Sequence, residues 1–268
     1  MENQPKMTPE LFHRCQDWFE TYAAGFAGAD GALPPMQQLK LEHTRRVAAD
    51  ARAIAAEAGW DAGAVELAAA TGLLHDAGRF SQYAEFRTFE DRRSVNHAER
   101  SLAVVEQAGI PAWLAPDEAA ILRDAIRLHN RPAIPDDIPA ASRPFAELVR
   151  DADKLDIFYI FDDALSNDRL SLYPEIVLHV RLEGPPSPAV LEAFFKREPV
   201  HYHAIQTVSD FLIVQLLWLH ELHFRPALRR VADRNTIARL GRHLPPFPER
   251  EAVLALSHRV LAERLDEH

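Results

Sequence analysis

Residues 68–80 read AAATGLLHDAGRF. A run of small and apolar side chains ends in an adjacent His75 and Asp76, with Gly78, Arg79 and Phe80 just beyond. Upstream, Val65, Ala68, Ala69, Gly72 and Leu73 recur at helical spacing, which predicts a buried helix over 63–76. Asp76 falls four residues after Gly72 and three after Leu73, on the same apolar face. A buried, unpaired carboxylate costs several kcal/mol or takes up a proton. An apolar helix ending in His-Asp therefore needs a partner for both groups.

The chain around this stretch reads as helical almost throughout. Helices are expected at 8–27, 39–58, 97–108, 116–129, about 144–165, 200–224 and 247–268. Residues 80–95 and 131–144 read as loops, and 166–199 as loop-rich. No run of alternating β-branched residues predicts a strand. The fold class expected is all-α: a helical bundle with a helical C-terminal extension. The organisation expected is an N-terminal helix (1–37) packing on a core (38–165), with 166–268 as an extension of the same structural unit.

Composition narrows the function classes. Hydrophobic residues make up 47% of the 268 and charged residues 26%, the balance of an ordinary globular protein. A net charge of −10 argues against broad binding of nucleic acid or acidic membrane. A lone Cys15 excludes an internal disulfide framework and fits a reducing cytoplasm. The N-terminal residues carry no signal pattern, and FLIVQLLWL at 211–219 is too short to span a bilayer.

Further polar residues fall on apolar faces. His43 precedes Val47 by four, His129 follows Ala125 by four, and Asp153 lies midway between Val149 and Ile157 at that spacing. His97 opens its helix behind Asn96, a capping residue. Taken singly, each has an ordinary explanation, such as a helix-dipole contact for His129 or pairing with Arg150 or Lys154 for Asp153. Together His43, His75, Asp76, His97, His129 and Asp153 are all imidazoles or carboxylates. A divalent cation removes the cost of burying them, and bundle cores build such sites from facing helices. Adjacent residues point about 100° apart on a helix, so His75 and Asp76 reach one ion only where the helix opens. Gly78 is expected to provide that opening.

The order His43, His75-Asp76, Asp153, in the contexts LEHTRRVA, AAATGLLHDAGRF and RDADKLDIF, resembles the HD superfamily of metal-dependent phosphohydrolases. The resemblance covers 38 to about 165. It implies His43, His75, Asp76 and Asp153 as metal ligands, and His97 and His129 as the extra pair of dinuclear members. Those members include HD-GYP-like phosphodiesterases and the diadenosine tetraphosphate hydrolase group. The GYP motif is absent, with LHNRPAIPDD in its place. The implied cofactor is one or two divalent transition-metal ions (Fe, Mn, Zn, Co or Ni, with Mg also compatible). The implied reaction is hydrolysis of a phosphate mono- or diester by a hydroxide held on the metal, with Asp76 bridging two ions. The implied partner is a small phosphorylated substrate, nucleotide-like, rather than a nucleic-acid polymer or a membrane.

Arg79 and Lys154 are the expected catalytic cations beside Asp76, with Arg87, Arg92 and Arg93 bordering the site. Phe80, Tyr83, Phe86 and Phe89 can stack on a base or pack their loop down. His201, His203, His220 and His223 lack the spacing of a second metal site. Two other functions fit the same ligands: a diiron oxygenase, or a non-catalytic metal-binding regulatory module. Residues 166–268 can cap the pocket or pair subunits into a homo-oligomer.

Overall fold

A computed structural model describes residues 6–177 and 180–267. Helices dominate; among the described residues the sole β feature is a bridge between Arg181 and Thr207. The chain divides into two compact units, residues 1–153 and 154–268. The division falls twelve residues before the boundary expected at 165, inside a long helix.

The first unit is a helical bundle built on α1 (Pro9–Ala24), α2 (Pro35–Glu57) and α3 (Ala62–Leu74). Thr8 caps α1, accepting from Leu11 N, and Asp61 caps α3, accepting from Ala64 N. Val47, Ala51 and Ile54 of α2 are fully buried, as are Ala69, Ala70 and Leu74 of α3. Gly72 sets how closely these two helices approach. A Cβ there would meet Ala48 Cα and Val47 O at 3.1 Å, so any larger residue would push α2 away.

After α3 comes a short turn and then α4 (Gly78–Phe86), α5 (His97–Gln107), α6 (Pro116–Leu128) and α7 (Arg143–Ser166). The loop expected from 80 to 95 is therefore helical in its first half. Its nine residues carry no sustained apolar stripe. Tertiary packing holds it instead: Phe80 is fully buried, edge-on to Phe19 at 5.6 Å.

The second unit contains α8 (Pro188–Lys196), α9 (Val208–Leu217), α10 (Arg225–Asp233), α11 (Thr236–Gly241) and α12 (Arg250–Asp266). The long helix expected over 200–224 is shorter at both ends. Thr207 and Asp210 form a capping box that starts α9 at 208, and a 3-10 turn at Trp218–His220 closes it. The region expected to be loop-rich, 166–199, contains α8. Within this unit Asp162 is buried and takes ion pairs from Arg239 (2.6 Å), Arg242 (2.6 Å) and His243 (3.0 Å). Among the described residues no helix is long and apolar enough to cross a membrane.

Candidate metal centre

The first unit brings the six expected ligands together. They come from five places in the sequence, His75 and Asp76 being adjacent, and a local feature aims each one. His43 is fully buried on the inner face of α2. His75 caps the end of α3, and Asp76 follows in the turn before α4, both buried. The doublet thus sits at a helix terminus, where adjacent side chains can converge. Gly78 contributes differently from the expectation. It opens α4 in helical conformation and lets α4 approach α5, donating from its N–H to Ser101 Oγ at 2.9 Å. That approach brings in His97, the first residue of α5, held by Asn96 accepting from Glu99 N at 3.0 Å. His129 caps α6, and Asp153 comes from α7.

Asp76 stands at the centre with its two oxygens facing different ways. Oδ2 lies 3.5 Å from His43 Nε2 and 3.7 Å from His75 Nε2. Asp153 Oδ1 closes that side, 3.3 Å from His43 Nε2 and 3.8 Å from His75 Nε2. Oδ1 of Asp76 lies 3.7 Å from His97 Nε2 and 3.6 Å from His129 Nε2, which are 3.0 Å from each other. His43, His75 and Asp153 form one group with donor atoms near enough to share an ion, and His75, Asp76 and His129 form another.

The donor chemistry fits a cation. His75 Nδ1 donates to Gly72 O, His129 Nδ1 to Ile126 O and His97 Nδ1 to Asp91 Oδ2, each at 2.7 Å. These acceptors can only receive a proton, so each ring, in its neutral form, turns an Nε2 lone pair inward. Fixing the outer nitrogen this way is how metal-binding imidazoles are oriented. Lone pairs 3.0 Å apart on His97 and His129 repel unless something positive lies between them. The buried His75 Nε2 and Asp76 Oδ1 have no hydrogen-bond partner among the described residues. Such orphaned atoms are costly unless an ion occupies them.

Electrostatics keep several of these groups in the forms a cation would need. Burial lowers His75 to about 4, against the pull of Asp76, and lowers His97 to about 3, reinforced by the Arg79 charge. Both rings are neutral at physiological pH. Burial pushes the Asp76 carboxyl up, but the Lys40 charge leads the contacts that outweigh it and hold it well below the usual carboxylate range. For Asp91 burial likewise acts upward, while the His97 hydrogen bond and Arg79 bring it down to about 2. Burial also opposes ionisation of Asp153, and the His43 contact outweighs it.

The expected cations have more specific placements than the sequence implied. Arg79 Nε lies 3.5 Å from Asp76 Oδ1. Its Nη1 donates to Phe89 O (2.6 Å), Gln82 Oε1 (2.9 Å) and Asp91 Oδ1 (3.3 Å), locking the guanidinium in place. Lys154 pairs with Glu221 at 3.2 Å within the second unit. Arg87, Arg92 and Arg93 are exposed, and Arg93 pairs with Glu90 at 3.7 Å, as solvated charges do. Of the loop aromatics, Phe80 is core, Tyr83 packs on Phe89, and Phe89 lies beneath Lys40 and Arg79. Packing the loop down is thus the observed role of Phe80, Tyr83 and Phe89, whereas Phe86 is exposed. Among the described residues, His201, His203, His220 and His223 join no ligand group.

Three contributors escaped the sequence reading. Lys40, three residues before His43, places its ammonium 2.7 Å from Asp76 Oδ2. Asp91 orients His97 and receives Gln82 Nε2 at 3.1 Å and Asn130 Nδ2 at 3.4 Å. Arg150 donates to the carbonyls of Leu128 and His129 at 3.4 Å, Pro132 at 3.2 Å and Arg131, holding the chain that carries His129. Lys40 had a legible signal, its i−3 spacing from a candidate ligand. The other two depend on loop geometry that spacing does not encode.

Residues 41–158 match the HD domain family. HD domains are helical, bind divalent metals and belong to a superfamily of metal-dependent hydrolases. No curated protein and no solved structure matches the chain at a significant level.

Proposed function

With an HD domain as its metal-binding core, we propose that this protein is a phosphohydrolase that cleaves a small phosphate ester, nucleotide-like, at a dinuclear centre. The observation that supports this most directly is the Asp76 carboxylate. It has one oxygen toward His43 and His75 and the other toward His97 and His129. In this reading His43, His75 and Asp153 would hold one ion and His97 and His129 the other, with Asp76 offering an oxygen toward each. Divalent ions bound there supply Lewis acidity at phosphorus and lower the pKa of water toward about 7.

The chain's own residues do the rest. Asp91, Gly72 O and Ile126 O fix three imidazoles as inward acceptors before any ligand arrives, so little reorganisation accompanies binding. Arg79, already immobilised, offers a fixed positive charge beside the Asp76 oxygen that faces His97 and His129. A phosphoryl group gains there from preorganised charge rather than from a side chain that must be ordered on binding.

The test is a panel of phosphomonoesters and diesters, nucleotides included, assayed with Mn2+, Co2+, Zn2+ or Fe2+, with and without oxygen. Metal-dependent phosphate release, lost together with bound metal in Asp76→Ala, is expected. Turnover that requires both iron and oxygen would replace this reading with that of an oxygenase. Full turnover with metal retained in Asp76→Ala would refute the site.

A further inference from the structure

The central carboxylate already has a cation of its own. Lys40 Nζ lies 2.7 Å from Asp76 Oδ2, the same oxygen that faces His43 Nε2 and His75 Nε2 at 3.5 and 3.7 Å. Asp76 is nearly closed to solvent and Lys40 partly so, which makes this a part-buried ion pair rather than a surface one. Arg79 stands at the other oxygen, at 3.5 Å.

The two cations differ in how they are held. Arg79 is tied to Phe89 O, Gln82 and Asp91 as well as to Asp76. Lys40 touches Asp76 and lies 5.7 Å over the Phe89 ring, and its side chain is 17% exposed. A lysine is a compact charge on a flexible stem, and a route to water lets it swing away. Arg79 has no such freedom.

The charges around Asp76 give this difference a consequence. Arg79 is shared between Asp76 and Asp91, so Lys40 is the cation that pairs with Asp76 Oδ2. A buried carboxylate needs such a partner while the site is empty. A divalent ion entering between His43, His75 and Asp153 needs the oxygen that Lys40 holds. It also sets two positive charges beside an ammonium where water screens poorly.

We propose that Lys40 is a built-in stand-in cation: it holds Asp76 Oδ2 in the metal-free protein and competes with the metal for that oxygen. It thereby stabilises the empty site and weakens metal binding on the His43–His75–Asp153 side. Loading that side moves the Lys40 ammonium off Oδ2. The inference rests on the reading of this cluster as a metal site.

The test uses Mn2+ alone as the probe, titrated calorimetrically into metal-free wild type, Lys40→Met and Lys40→Arg, with melting curves of each metal-free protein. Lys40→Met is expected to bind Mn2+ at least tenfold more tightly, about 1.4 kcal/mol, and to melt several degrees lower without metal. Lys40→Arg keeps the charge and should stay within threefold of wild type. Lys40→Gln replaces the methionine variant if that does not fold metal-free, with the same expectation. Mn2+ binding by wild type that is unchanged or weaker in the neutral variants overturns the competition and leaves the metal site standing. No Mn2+ binding by any of these proteins overturns the metal site, and the competition with it.

Discussion

Gly78→Ala tests the geometry that joins the two halves of the ligand cluster. A Cβ at residue 78 would lie 2.4 Å from Ser101 N, 2.7 Å from Arg100 C and 2.9 Å from His97 O. All three atoms are backbone of α5, so no side chain can rotate aside. Ordinary contacts of this kind sit near 3.5 Å, so α4 and α5 must part by about 1 Å. Overpacking of a closed core costs about 1–3 kcal/mol, and a backbone wall puts this case at about 3 kcal/mol. For a unit of this size that lowers Tm by roughly 6–12 °C. The functional effect follows from where α5 begins. His97 is its first residue, and ligand distances tolerate only about 0.2 Å. An ion held between His97 and His129 is expected to be lost first, while one on the side formed by His43, His75 and Asp153 is expected to stay. The assay pairs a thermal melt with metal content per chain after equilibrium dialysis. A Gly78→Ala protein that melts within a degree or two of wild type with unchanged metal content would refute the close-approach argument.

Three further outcomes are expected. Asp91→Asn keeps the shape but removes the charge that orients His97, and should weaken metal binding or activity about 10–100-fold with the fold intact; an unchanged metal affinity would dismiss that role. His75 and His97 sit at about 4 and about 3 in the folded chain, below the ordinary 6.5. Protons therefore favour the unfolded state first, so the metal-free protein should lose stability as pH falls from about 6.5 through 4 toward 3, before Asp76 and Asp91 titrate. A stability that is flat or rising across pH 6.5 to 4.5, measured by denaturant melts, would contradict this. Burial raises the Cys15 thiol to about 12. Native protein should accordingly resist iodoacetamide at pH 8 and react once denatured, whereas full labelling of the native state within minutes would show the site is open.

Sequence spacing singled out His43, Asp76, His129 and Asp153 as candidates because each lies on an apolar stripe, where an imidazole or carboxylate is conspicuous. His43, His129 and Asp153 were legible by that logic, and the helix-terminal placement of His75-Asp76 followed from the geometry of adjacent residues. What the spacing did not carry was set by tertiary contacts. The α4 helix has little periodicity and stands because Phe80 buries itself against Phe19. Gly78 looked like a hinge, and its actual service is a close helix crossing, visible only once α5 is in place. The start of α9 was written in Thr207 and Asp210, but the apolar run around it masked the capping signal. Asp91 acts on His97 from the segment before α5, and Arg150 acts from inside α7 on the carbonyl of His129, so no helical spacing announces either.

The central claim is that Asp76 spans two ions. Crystals grown with Mn2+ and measured for anomalous scattering test it directly. Two peaks roughly 3.5–4 Å apart, one toward His43, His75 and Asp153 and one toward His97 and His129, are predicted. No peak within reach of Asp76, or a single ion with His97 and His129 still facing each other, would contradict it.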